Sequence, residues 1–207
     1  MANYDKIARY YDFLSRLMFF KSQVNAQINQ LKYIRPNASI LIVGGGTGWI
    51  LEELAKVYPQ GLKITYLEIS EKMILISKKR DIKNNEVEFI CSAVEAFNFN
   101  KQYDVVLTPF LFDNFADLQV GRIFNQLNNQ LKLGGRWLMV DFSLDEKAGR
   151  WWRKLLLRTM YTFFKTIGIV ETSTLIDVTP YFKANRFVQL EERHYYNKFI
   201  KAVVYQK

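Results

Sequence analysis

The sequence predicts an α/β protein: a doubly wound, seven-stranded, mostly parallel sheet with helices on both faces. Three observations predict it. Short apolar runs that read as strands buried on both faces alternate with amphipathic stretches of helical period, the pattern of βαβ units with right-handed crossovers. A glycine-rich turn, Gly44-Gly45-Gly46-Thr47-Gly48, separates the first such run from the first such helix. The last two runs are joined only by Asn197-Lys198, which is too short for a crossover, so they form a hairpin and the final strand is antiparallel.

Taken in order, Ser39 to Val43 is the first strand, closed by the glycines. Trp49 to Tyr58 follows as a helix with Ile50, Leu51, Leu54 and Val57 on one face, stopped at Pro59. Lys63 to Leu67 is the second strand. A helix over 70–84 opens on Ser70 as N-cap and turns Met73, Ile74, Ile76 and Ser77 inward. Its Lys78, Lys79 and Arg80 suit the negative end of the dipole. Val87 to Ile90 and Tyr103 to Leu107 are the third and fourth strands. A helix over Asp117 to Leu131, with Asp117 as cap, turns at Gly134-Gly135 into strand five, Arg136 to Phe142. Gly149 to Val170 is then long, basic and helical. Thr179-Pro180 reads as N-cap and first helical residue of a short helix ending at Asn185. Phe187 to Tyr196 and Phe199 to Gln206 are the closing strands.

With 207 residues, 49% hydrophobic and 24% charged, the chain is large enough for a packed core without disulfide or metal staples. A single cysteine (Cys91) and a single histidine (His194) exclude a Cys/His zinc site and a disulfide framework. Cys91 reads as a small buried hydrophobe, and His194 as a structural strand residue. No secretory signal or run of 18 apolar residues is evident, so a cytoplasmic location is expected. The net charge of +9 suits nucleic acid, an anionic membrane, an acidic substrate or merely a basic proteome, and composition does not choose among them.

The glycine turn carries the chemistry. Glycines there allow positive φ and close approach of a ligand, and the helix beyond adds about half a positive charge. Glu68 lies 20 residues past Gly48, at the end of strand two. In a doubly wound sheet that end adjoins the glycine turn, so the carboxylate faces a ribose lying over it. A phosphate-binding P-loop is excluded because no lysine follows Gly48. A dinucleotide fingerprint is opposed by Trp49, which stands where its third glycine is required.

On these residues the chain resembles the class I, Rossmann-like S-adenosylmethionine-dependent methyltransferases. Ile40 to Gly48 is similar to their motif I, and Tyr66 to Ser70 to the segment with the ribose-binding acid. Cys91 to Phe97 stands where adenine is held. Tyr103 to Phe110 resembles motif IV, and Leu131 to Phe142 the strand-five stretch. The opening Tyr4, Asp5, Ile7, Ala8, Tyr10, Tyr11 and Asp12 are similar to the start of ubiquinone/menaquinone-biosynthesis methyltransferases. The chain departs from the pattern at Ile42, where an acid is usual, at Ser92 in place of an aspartate, and at Asp113-Asn114, where relatives often carry histidines.

The resemblance implies strand order 3-2-1-4-5-7-6 and one methyltransferase domain over 1–207. Within it fall an N-terminal helical cap (1–36), a cofactor-binding core (37–142), a lid-like insert (143–186) and a C-terminal hairpin (187–207). It implies S-adenosylmethionine as cofactor, S-adenosylhomocysteine as product, and a small, apolar or aromatic acceptor. Gly44, Gly45 and Gly46 would meet the methionine portion and Glu68 the ribose. Ile69 and Ala93 would pack on adenine, Ser92 would meet its edge, and the Thr108 carbonyl would take the methionine amine. Tyr11 would close the pocket. Asp113, just past strand four, is a candidate general base, against its reading as a cap or solvated loop acid. At helical spacing Trp152, Leu155, Leu156, Thr159, Met160 and Phe163 form one face of the segment 150–170, surrounded by Arg150, Arg153, Lys154 and Arg158. The segment is open to three readings: core helix, substrate lid, or peripheral membrane contact. A degenerate fold serving as a binding module and an RNA methyltransferase remain alternatives, although no separate basic RNA-binding domain supports the second.

Overall fold

The computed structural model describes residues 5, 8–144, 150–166 and 175–207. Helices α1 (Tyr11–Phe19) and α2 (Ser22–Ile28) precede β1 (Ser39–Val43), α3 (Trp49–Val57), β2 (Gln60–Glu68), α4 (Glu71–Ser77) and β3 (Asn84–Cys91). Then follow β4 (Tyr103–Pro109), α5 (Asp117–Gln130), β5 (Leu131–Phe142), α6 (Arg150–Thr166), α7 (Thr179–Ala184), β6 (Val188–Tyr195) and β7 (Ile200–Gln206). The sheet runs β3-β2-β1-β4-β5-β7-β6. Strands β1 to β5 are parallel where they pair, and β7 is antiparallel to both β5 and β6. Fold class and strand order are those expected.

Strand alternation divides the core between the two faces. Leu41, Val43, Val106, Trp137 and Val203 meet Val120, Ile123, Phe124 and Leu127 of α5 and Phe182 of α7. Ile40, Ile42, Ile64, Val105 and Leu138 meet Ile50, Leu51 and Leu54 of α3 and Ile74 of α4. Trp137 stacks on Phe124 at 5.0 Å and donates its ring N–H to the Thr108 hydroxyl at 2.9 Å. A third cluster, with Phe19, Phe142, Leu157 and Phe199, covers the end of β5 and the start of β7.

Several local expectations are corrected. The helix expected to reach residue 84 ends at Ser77, because the backbone beyond is captured by side chains. Asp81 accepts from the Lys83 amide at 3.0 Å, and Asn85 bonds the Leu62 amide and the Tyr58 and Ile82 carbonyls. Asn84 thereby joins the β2 ladder opposite Gln60. Ile76 is only half-buried. In α3 Ala55 is buried and Val57, at the helix end, is exposed. The cap of α5 is Ala116, not Asp117, and Gln119 accepts from its amide at 3.2 Å.

Gly134-Gly135 forms no turn. The pair lies inside β5, where the register against β4 shifts between Tyr103 and Val105. Thr179 is the first residue of α7 rather than its cap, and Asp177 accepts from its amide at 2.9 Å. The hairpin link spans Tyr196 to Phe199, with left-handed backbone at Tyr196, Asn197 and Lys198. Cys91 is exposed rather than buried, since it ends the edge strand β3. In α6, Arg153 and Leu157 are buried while Leu155 is exposed, so the packed face is rotated from the expected one. The side chains of Met160 and Phe163, expected on that face, lie outside the described residues.

Candidate active site

The glycine turn is held from below and from one flank. The Gly44 amide donates to the Leu67 carbonyl at 2.9 Å, and the Gly46 amide to Glu68 Oε2 at 3.0 Å. The Tyr66 hydroxyl donates to the Gly46 carbonyl at 2.9 Å. A Cβ on Gly45 would lie 2.5 Å from the Tyr66 ring, so the ring packs directly beneath the turn. Two of the amides expected to face a ligand therefore serve the turn itself, and what the glycines offer is a surface without side chains. Ile42 is buried in the α3-side core, and the half-buried Trp49 packs against the same cluster.

On the flank, Arg80 donates from Nε to the Thr47 carbonyl at 2.9 Å and from its guanidinium to Asp12 at 2.9 Å. Thr47 Oγ1 donates to Asp12 Oδ1 at 2.6 Å. Asp12 belongs to α1, so this triad fastens the N-terminal helix to the turn. Asp5 accepts from Ser70 Oγ at 2.5 Å and from the Lys72 amide at 3.2 Å, which brings a second N-terminal carboxylate beside the end of β2. The side chain of Tyr11 lies outside the described residues.

Glu68 is 6% exposed. Its Oε1 accepts from the Ser70 amide at 3.0 Å and its Oε2 from Gly46. Burial pushes its pKa up, opposed by the amides of Ser70, Gly46 and Ile69. A carboxylate has about four acceptor positions, so the two side-chain oxygens retain capacity for a ribose diol. The next strand completes the surround. Cys91 pairs with Glu68, and the Ser92 amide donates to the Glu68 carbonyl at 3.1 Å. Ala93 is buried and Ile69 half-buried. Glu68, Ile69, Ser92 and Ala93 are thus brought together. Thr108 lies one residue beyond the last β1–β4 pair, Ile42–Leu107, where the sheet opens at its topological switch point. These residues fit an adenosyl ligand: a buried acid with spare acceptor sites, an apolar wall and a bare turn.

A second group of acids lies beyond β4. Asp113 is in the 3-10 turn Phe112–Asn114 and accepts from Asn114 Nδ2 at 2.9 Å; it caps no helix. Asp141 in β5 is 6% exposed and accepts from the Phe142 amide at 2.9 Å. Burial pushes the Asp141 pKa up to about 7, against the opposing amides of Phe142 and Phe112. Burial and then the Asp141 charge hold Asp113 well above the usual carboxylate range. Two buried carboxyls of which one feels the other's charge do not readily ionise together. Asp141 lines a cavity of about 240 Å³ with Met139, Phe142, Leu144, Ile176 and Lys201, its cross-strand partner. The turn carrying Asp113 also adjoins the glycine turn, since a Cβ on Gly44 would lie 3.4 Å from Leu111. The segment 111–113 thus meets the glycine turn at Leu111, and Asp113 feels Asp141 at the cavity wall.

His194 is on the edge strand β6, 2.9 Å from Glu192, and takes no part in this arrangement. Sequence reasoning missed Tyr66, Arg80, Asp12 and Asp141. Asp12 stood in the family-like opening and Tyr66 in the acid-bearing segment without a role of their own, and Asp141 was signalled as the lone acid in the apolar run from Trp137 to Phe142.

The description of the ubiE/COQ5 methyltransferase family matches residues 2–170. Among curated proteins, the malonyl-[acyl-carrier protein] O-methyltransferase of Priestia megaterium is 32% identical over 124 residues, 59% of this chain and 44% of that protein. The ubiquinone/menaquinone biosynthesis C-methyltransferase UbiE of Geotalea daltonii is 27% identical over 168 residues, 78% of this chain and 67% of that one. The chain spans less than half the length of the malonyl-[acyl-carrier protein] relatives it matches. Among solved structures, a SAM-dependent methyltransferase from Aquifex aeolicus superposes with a TM-score of 0.65 at 16% identity, covering 98% of this chain and 97% of that one. With its sheet order, its glycine turn and this match over most of its length, the chain belongs to the ubiE/COQ5 methyltransferase family.

Proposed function

We propose that the protein transfers a methyl group from S-adenosylmethionine to a small acceptor held in the cavity at the end of β5. The observation that carries this reading is that the segment holding Asp113 reaches the glycine turn at Leu111, while Asp113 also feels the charge of Asp141, which lines that cavity. When bound, the sulfonium supplies an activated methyl group for in-line displacement. The chain's own contribution is alignment and exclusion of water, effects worth up to about 7–11 kcal/mol.

Glu68 would orient the ribose through charge-assisted bonds while Ile69 and Ala93 hold the adenine and Ser92 meets its edge. Thr108 would present its carbonyl to the methionine amine. The acid pair, with Asp141 at about 7, is poised to take the proton that the acceptor loses as its new bond to carbon forms. Met139, Phe142, Leu144 and Ile176 give the cavity a wall for an apolar body, and Asp141, Ser143, Asp177 and Lys201 give it a polar side.

Calorimetric titration with S-adenosylhomocysteine tests the first part, and methyl incorporation into a panel of small hydroxylic, carboxylic and carbon acids tests the second. Asp141→Asn is expected to abolish transfer while leaving S-adenosylhomocysteine affinity unchanged. Absence of binding at millimolar ligand would replace the enzymatic reading with a binding module.

A further inference from the structure

We propose that α1 and α6 together form a docking surface for an anionic lipid bilayer. Both helices are seated on one aromatic cluster. The Phe19 ring of α1 lies 5.5 Å from Tyr196 and 6.2 Å from Phe199, and the Trp152 ring of α6 lies 6.1 and 6.0 Å from the same two. Both helices are therefore anchored at one place in the fold, each with an outward face.

Those faces are apolar where solvent would demand polarity. On α1, Phe13 and Leu17 are 66% and 65% exposed, followed at the helix end by Phe20 at 70%. On α6, Trp151 and Leu155 are 75% and 59% exposed, one helical turn apart. A group of large exposed apolar side chains marks an interaction site. The charges among them identify the partner. Helix α6 contains Arg150, Arg153, Lys154, Arg158 and Lys165 and no acid. Lys154 and Arg158 are exposed beside Trp151 and Leu155, and Arg16 and Lys21 beside Leu17 and Phe20.

Interleaved basic and bulky apolar residues match the headgroup boundary of an anionic membrane, where phosphates meet the cations and Trp, Phe and Leu enter the acyl region. Leucines at these positions have no role in stacking on nucleic-acid bases. The contact would be peripheral, for among the described residues no helix is long and apolar enough to cross a membrane. Phe142, Leu144 and Leu175 join this aromatic cluster and also line the cavity. Docking would thus bring an apolar acceptor's source to the cavity. That consequence rests on reading the cavity as the acceptor site; the docking does not.

Flotation of the purified protein with phosphatidylcholine vesicles, with and without phosphatidylglycerol, tests the proposal. Binding to the anionic vesicles, weakened by salt, is expected. Phe13→Ala with Leu17→Ala, and Trp151→Ala with Leu155→Ala, are each expected to lower binding about tenfold or more. Lys154→Glu with Arg158→Glu is expected to abolish it, each lost basic contact being worth about fivefold. S-adenosylhomocysteine binding and the melting temperature of each variant check that the fold is intact. No binding to anionic vesicles overturns the proposal. So does binding that responds to salt but is unaffected by the apolar truncations, or a loss of RNA binding in the charge variant without a loss of vesicle binding.

Discussion

Glu68 is the residue on which the proposed ligand binding turns. It is both the acid that would hold a ribose and the acceptor that fixes the Gly46 amide. Glu68→Ala is expected to weaken S-adenosylhomocysteine at least about tenfold by calorimetry, since one lost charge-assisted bond costs about 1.5 kcal/mol or more. Asp141 makes a different prediction, about pH. Unfolded, its carboxyl releases the proton near its ordinary 3.8; folded, it keeps it to about 7. The folded state binds the proton more tightly in that window, so stability falls as pH rises from about 4 to about 7. The slope approaches about 1.4 kcal/mol per pH unit for one proton. Urea unfolding at a series of pH values is expected to give a flatter profile for Asp141→Asn. Glu68 was legible from its distance past the glycine turn. Asp12, Arg80 and Tyr66 were not, because each acts through a contact between distant segments. Arg80 in particular looks like a helix C-terminal cation until the chain turns at Ser77 and delivers it to Thr47.

At the level of the elements, close approach decides what the glycines can become. Gly48 has φ +77°, and a Cβ there would lie 2.4 Å from Ser77 Cβ and 2.9 Å from its Cα, where α3 starts against the end of α4. Gly48→Ala combines left-handed strain of about 1–2 kcal/mol with that collision. It is expected to lower unfolding free energy by more than about 2 kcal/mol. Gly134 has a similar φ of +73° but nothing within 4 Å, so Gly134→Ala is expected to cost only the strain. Comparing the two by urea denaturation separates conformation from packing. Arg80→Ala would unfasten α1 from the glycine turn. Faster hydrogen exchange in α1, with weaker S-adenosylhomocysteine binding, is the expected outcome. Strong apolar periods made the existence of these elements legible. Their ends were set by Asn85, Asp81 and Asp177, whose side chains compete for backbone groups in ways periodicity does not register.

For the molecule as a whole, the sheet order was legible through family resemblance together with the short hairpin link, and the glycine turn then had to lie at the switch between β1 and β4. What lay out of reach was the acid pair. It forms only when the turn after β4 meets the end of β5, which no local pattern encodes. The order also places β7 inside the sheet, paired on both sides along almost its whole length. Beyond it, the Lys207 amide donates to the Gly135 carbonyl at 3.0 Å, and its ammonium donates to the carbonyls of Asn128 and Leu131. During synthesis, then, the strand made last of the seven fills an interior slot between β5 and the edge strand β6. Until it leaves the ribosome, β5 presents an open edge with its apolar faces half covered, an invitation to chaperones and to neighbouring nascent chains.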